Sequence, residues 1–217
     1  MNSPLCLIFC GLSDRKLRDK LEPLIASRIF SGFLVLRNDT GPKMKGVKHH
    51  PVPPYIRGSS YLSILYKVVF GAFMAFRFKQ KRVKILSYNC IPHGFIAYIV
   101  GKLTRTPIFT ALIGSDLNYA LPNPLIGPFI LRVCKESKRV IVTGRRSARI
   151  IMQYGISNVR IVPNTIDVTR FPLPNSSLRN PNQIIAIGSL TRNKRFDRVV
   201  QYIRRLLDEG MNISCSL

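Results

Sequence analysis

Apolar runs of four to six residues recur along the chain, separated by stretches with helical spacing. Leu5 to Cys10 (LCLIFC) reads as a buried strand that stops at Gly11. From Ser13, an N-cap residue, a helix to about Ala26 puts Leu17, Leu21, Leu24 and Ile25 on one face. Phe33–Leu36 is the next strand, and a Pro- and Gly-containing loop follows from Gly41 to about Gly58. A long apolar helix over 61–79 precedes a strand over 83–88. A helix over about 92–103 leads to a strand at 107–114, and strand, helix and short strand follow at 139–144, 145–154 and 159–164. Apolar strands alternating with helices predict an α/β fold: a Rossmann-like parallel sheet with helices on both faces.

The pattern breaks at Phe171 to Gln183, where FPLPNSSLRNPNQ holds three prolines and three asparagines and reads as a linker. It restarts with IIAIG at 184–188, a helix from about Phe196 to Asp208, and NISCSL, one strand–helix–strand unit of a second Rossmann-like domain. One such unit cannot bury both faces of its strands. The expected organisation is therefore a domain over 1–170, a linker over 171–182, and an incomplete second domain over 183–217.

Composition changes this picture in one respect. The 217 residues carry 34 Lys+Arg against 10 Asp+Glu, a formal net charge of +24. Such a surface calls for an anionic partner: nucleic acid, a membrane leaflet or a phosphorylated ligand. The charge is uneven, since the acid-free window from Thr40 to Ser115 contains 12 Lys or Arg, several of them in RFKQKRVK at 77–84. The same window holds the most apolar helix, Tyr61 to Phe78, but Lys67 and Arg77 interrupt it and argue against a membrane span. An apolar helix beside a basic fringe (Lys79, Lys81, Arg82, Lys84) suits an interfacial surface. The five cysteines form no C-x-x-C pair, so buried reduced thiols are expected rather than a zinc ribbon or disulfide scaffold.

Ligands of open α/β sheets bind outside the carboxyl ends of the strands. Gly11, Gly114-Ser115-Asp116, Gly144, Pro163-Asn164 and Gly188 stand at those ends. Gly188 allows backbone to approach a phosphate, and Arg192, Lys194 and Arg195 follow four to seven residues on. Asp116 fits either a sugar-hydroxyl ligand or an Asx turn. His93, in IPHGF, fits either a packing residue or a ligand. No Walker A loop, G-x-G-x-x-G, H-E-x-x-H or G-x-S-x-G occurs, which removes the usual support for nucleotide triphosphatase, dinucleotide, zinc and serine-hydrolase chemistry.

Three segments, in order over residues 93–200, resemble the family 4 glycosyltransferases. They are HGFIAYIVGKLTRTPIFTALIGSDL, VTGRRSARIIMQYGISNVRIVPNTIDVTRFPLP and IIAIGSLTRNKRFDRVV. The resemblance implies a GT-B fold, with this chain holding the acceptor-side domain and the opening of the donor domain. It implies transfer of a sugar, with retention and without an obligatory metal or other cofactor, from a nucleotide-diphosphate sugar to a lipid-linked or polysaccharide-precursor acceptor. Lys194 falls on the family's donor-phosphate lysine, with Gly188, Arg192, Arg195 and Asn164 also on the donor side. Gly11, His93, Gly114, Ser115 and Asp116 form the acceptor-side loops, and Asp116 is a candidate catalytic carboxylate. The pattern departs at Ser189, Ile113 and Thr165, where the family has Arg, His and Gly. Its paired glutamates lie beyond the sequence, so the chain is expected to be a fragment. With the basic, apolar window, this reading predicts a peripheral protein at the cytoplasmic face of an anionic membrane. The rivals are a noncatalytic basic module binding nucleic acid and an inactive transferase subunit. No RNP aromatics, GXXG loop or zinc-finger spacing supports nucleic acid as the partner.

Overall fold

The structure, a computed structural model, describes residues 3–164, 180–188 and 190–216. It divides into two compact units, Met1–Asp167 and Val168–Leu217. Thr165, Ile166, Asp167, Phe171, Ser189 and most of the linker at 171–182 lie outside the described residues.

Strands β1 (Leu5–Phe9), β2 (Gly32–Arg37), β3 (Val47–Pro51), β4 (Lys84–Tyr88), β5 (Ile108–Ala111), β6 (Arg139–Val142) and β7 (Val159–Ile161) build the first unit. They form one parallel sheet in the order β3-β2-β1-β4-β5-β6-β7. Helix α1 (Asp14–Ala26) covers one face. The short α2 (Pro54–Arg57) leads into α3 (Ser60–Arg77), and α3, α4 (Phe95–Thr104), α5 (Gly127–Glu136) and α6 (Arg145–Gln153) cover the other. This is the expected Rossmann-like sheet. Alternation along β1 explains the layering: Cys6 and Ile8 face α1, whereas Leu7 and Phe9 face α3 and α4. The strand order reverses between β1 and β4, which makes their carboxyl ends the topological switch point.

Two elements escape the sequence reading. β3 occupies part of the expected loop and reads VKHHP, without apolar alternation. Its strand state comes from β2, which pairs with it from Phe33–Val47 to Arg37–Pro51. His50 stacks on Phe70 at 3.6 Å between ring centroids and contacts the Tyr66 hydroxyl at 2.5 Å, joining this edge to α3. α5 is the second, and its buried Ile130, Val133 and Cys134 carry a readable helical spacing. At the start of α1, Ser13 holds the N-cap position with extended backbone, but its side chain makes no capping hydrogen bond.

α3 is turned against its own composition. Its buried face is Ser63, Lys67, Gly71 and Ala75. Leu62, Leu65, Val69, Phe73 and Phe76, spaced as one opposite face, are each 48–60% exposed. Small inward residues allow a close approach: a Cβ on Gly71 would meet Phe9 Cζ at 2.6 Å and Val100 Cγ2 at 3.3 Å. Among the described residues no helix is long and apolar enough to cross a membrane.

In the second unit, β8 (Gln183–Ile185) and β9 (Ser214–Ser216) pair in parallel, and α7 (Phe196–Asp208) connects them. The strand–helix–strand unit read from the sequence is therefore formed, and α7 has no buried residue.

Candidate functional site

Gly11 follows β1 and His93 follows β4, so both stand at the switch point. They touch: a Cβ on Gly11 would lie 2.8 Å from His93 Nε2. The missing side chain is thus what admits the imidazole at the strand end. His93 is 7% exposed, and its Nδ1 is buried without a hydrogen-bond partner. Asn89, at the start of the same turn, holds a left-handed φ of 69° and also buries an unpartnered Oδ1. Ser87 Oγ of β4 and His49 Nδ1 of β3 are likewise buried without a hydrogen-bond partner.

Two buried cations lie at the carboxyl end of β2. Arg37, at the end of β2, donates to Asp39 Oδ1 at 2.6 Å and Asp14 Oδ1 at 2.8 Å. Lys67 of α3 donates to the neutral Asn38 Oδ1 at 2.6 Å and is 3% exposed. Sequence reasoning noticed Lys67 only as an interruption of an apolar run. That a cation on α3 reaches the ends of the central strands follows from the inward turn of that helix.

Burial, with Lys67 as a lesser contributor, lowers the His93 imidazole from 6.5 to about 3. The folded state thus holds His93 neutral where the unfolded chain protonates it. Stability linked to His93 is complete above about pH 6.5 and is lost as pH falls toward 3, by at most about 1.4 kcal/mol per pH unit. Urea midpoints taken between pH 7 and 4 should fall less steeply in His93→Asn than in the parent. His50, also lowered by burial, titrates in both proteins and cancels in the comparison. Equal slopes would show that His93 is not buried neutral.

Asp116 is 4% exposed, and its Oδ2 accepts from Ile113 N at 3.0 Å and Cys90 N at 3.1 Å. Burial raises its carboxyl, and the backbone donors oppose that rise. The carboxylate ties the turn after β5 to the turn after β4. Gly114 and Ser115 beside it are exposed. Gly114 and Asn164 border a cavity of about 580 Å³ on the α1 side of the sheet, lined mainly by apolar groups including Leu86, Tyr88, Phe109 and Ile141. Asn164 Oδ1 accepts from Lys20. Lys84 also lines this cavity, so the structure separates it from Lys79 and Arg82, which follow α3. The four-residue basic fringe read from the sequence is not one cluster, because strand alternation sends Lys84 to the opposite face of the sheet from Ile85 and α3.

Within the second unit Gly188 and Lys194 come together: a Cβ on Gly188 would lie 3.7 Å from Lys194 Cγ and 3.2 Å from the Phe196 ring. Arg192 and Lys194 belong to one 3₁₀ turn at the mouth of α7. Arg195, with φ 51°, pairs with Asp197 at 2.9 Å. Among the described residues no group of three or more His, Cys, Asp or Glu is placed to hold a metal.

The architecture has counterparts among solved structures. UDP-GlcNAc 2-epimerase from Methanocaldococcus jannaschii superposes with a TM-score of 0.54 at 11% identity, over 99% of this chain and 65% of that one. Alr3699/HepE from Anabaena in complex with UDP-glucose gives 0.55 at 12%, over 97% and 68%. MurG from Acinetobacter baumannii gives 0.54 at 11%, over 98% and 65%. The fold is that of the GT-B proteins. Likeness at these identities shows the fold alone and not an activity. The chain spans about two thirds of the length of these structures. No protein-family model matches the sequence, and no curated protein matches it either.

Proposed function

We propose that the protein is a retaining glycosyltransferase of the family 4 type, taking its sugar from a nucleotide diphosphate and needing no metal. The observation that carries this reading is the contact of Gly188 with Lys194 at the strand end of the second unit. Without a Cβ at Gly188 the Phe196 ring and the Lys194 stem close on the strand end, and a cation there stabilises the charge that develops as the diphosphate leaves. The order of the three sequence motifs favours transfer over epimerisation. GT-B neighbours solved with UDP or UDP-glucose support a nucleotide-sugar donor. Arg192 is the second donor-side cation in this proposal; Arg195 holds Asp197 and shapes the turn. Asp116 acts by fixing the Gly114–Ser115 loop and the turn bearing His93.

The acceptor is lipid-linked or a polysaccharide precursor, presented at the anionic cytoplasmic face of a membrane. The exposed stripe of α3 supports this reading, since five large apolar side chains share one face and the helix ends in Arg77, with Lys79 and Arg82 following it.

The test takes a chain carrying a complete second domain, UDP-sugars, and a membrane extract containing lipid-linked glycans. Sugar should move to the lipid fraction with release of nucleoside diphosphate, in the presence of a chelator. Epimerisation of the free donor, without transfer, would replace this reading.

A further inference from the structure

The two faces of the first sheet are covered unequally. Right-handed crossovers place α1 on one face, because β2 is added on one side of β1. They place α4, α5 and α6 on the other, because β5, β6 and β7 are added on the opposite side. Among the described residues α1 is the only helix in the core of its face, and Phe109 of β5 and Ile141 of β6 stay half-buried there. The space above them is the cavity of about 580 Å³. The sheet is its floor, from Leu86 and Tyr88 to Ile141, and Leu24 of α1 is one wall. Val162, Pro163 and Asn164, which follow β7, border it opposite α1. Lys20 of α1 donates to Asn164 Oδ1, so the two sides are joined at the carboxyl end of the strands. The volume lies within the roughly 300–1,000 Å³ of small-molecule sites, which are likewise apolar with a few placed polar groups. Two lysines line the cavity, Lys20 at that joined end and Lys84 at the start of β4, and no Asp or Glu does. Asp19, next to Lys20 in α1, is outside the lining. Asn164 uses Oδ1 on Lys20, which leaves its Nδ2 donors beside the ammonium. A docked helix, about 10–12 Å across, would have to part Lys20 from Asn164, whereas a single hydrocarbon chain lies along the strands within the cavity.

We infer that this cavity binds a single-chain anionic amphiphile. Its hydrocarbon chain lies on the apolar floor of β4, β5 and β6, and its charged head is held by Lys20 Nζ and Asn164 Nδ2. The two parts depend on each other. A half-exposed lysine alone holds an anion weakly, and an apolar floor alone does not select for charge. The site binds, and no bond forms or breaks in it. It lies on the α1 face of the sheet and goes beyond the glycosyltransferase reading, none of which it needs.

The experiment uses the 217-residue chain and no sugar donor. Isoleucine methyl groups are labelled with ¹³C, the Ile141 signal is assigned with Ile141→Val, and monomeric decanoate is titrated in. A protein with charge +24 collects anionic amphiphiles over its surface, the α3 stripe included, so the reading is taken from Ile141 and not from total binding. Ile141 should respond saturably, while Ile96, buried on the other face, stays flat. Hexanoate, four methylenes shorter, should bind about a hundredfold more weakly. Decanol, with a similar chain and no charge, should bind about tenfold more weakly than decanoate. Decyl phosphate against decanoate assigns the head: tighter binding of the phosphate names a phosphorylated lipid, and equal or weaker binding names a fatty acid. Lys20→Met should weaken decanoate about tenfold and leave decanol unchanged, and the surface variant Lys16→Met should match the parent. Leu24→Trp fills the cavity and should abolish the Ile141 response to both. Lys20 is on the outer part of α1 and half-buried, so its variant folds even where Leu24→Trp does not. No saturable Ile141 response, equal affinity for decanol and decanoate, or unchanged decanoate affinity in Lys20→Met overturns the site.

Discussion

Replacing Leu65, Val69 and Phe73 together by serine is expected to release the protein from anionic vesicles by on the order of a hundredfold or more. Fully burying a side chain of this size contributes about 1.5–3 kcal/mol, so three half-buried in the headgroup region contribute roughly 3 kcal/mol or more. Each cation near the leaflet adds about 1 kcal/mol, and salt screens that part. The apolar loss should therefore persist at high salt. Reversing Lys79 and Arg82 to Glu should weaken binding mainly at low salt. Reversing Lys84 should do little, because its side chain lies in the cavity on the other face of the sheet. The serine variant should keep its fold, since these three side chains are 58–60% exposed. Co-sedimentation with vesicles at two salt concentrations measures this. Equal binding of parent and serine variant would remove α3 from the interface. A parent that dimerises in sedimentation, while the serine variant does not, would assign the stripe to a second copy instead.

In a chain with a complete second domain, Lys194→Ala is expected to lower kcat by about a hundredfold or more with little change in KM. A preorganised charge aimed at a leaving group contributes chiefly in the transition state, and removing one such group typically costs 10²–10³ in rate. Lys194→Arg should recover part of the turnover, because it keeps the charge. Arg195→Ala should act more weakly and through stability, since its guanidinium is engaged by Asp197. Steady-state kinetics of the three variants separates these outcomes. An unchanged kcat in Lys194→Ala would remove the lysine from the mechanism.

The readable part of this protein is the part fixed by local periodicity. LCLIFC, FLVL, KILSY and RVIV are apolar runs bounded by Gly or charge, and each forms a parallel strand within two residues of its expected limits. The buried Leu17 and Leu21 of α1 and the free cysteines follow from spacing in the same way. β3 is invisible because VKHHP has no pattern of its own and borrows its ladder from β2. Among the site residues, strand-end position alone picks out Gly11, His93 and Asp116. Their contacts could not be read, because each partner lies far along the chain: Gly11 against His93, Asp116 against Cys90.

Sequence by itself determined the parallel α/β class, the restart at Ile184, and the position of the charge along the chain. These depend on short-range spacing and composition. Tertiary structure alone decided which way α3 faces. An 18-residue helix with apolar groups on most sides fits a core or a surface equally well. Close packing against Phe9 and Val100 admits only the Ser63–Lys67–Gly71–Ala75 side. That single choice exposes the phenylalanines to the outside, carries Lys67 to the switch point, and leaves a buried cation whose nearest acceptor is a neutral amide.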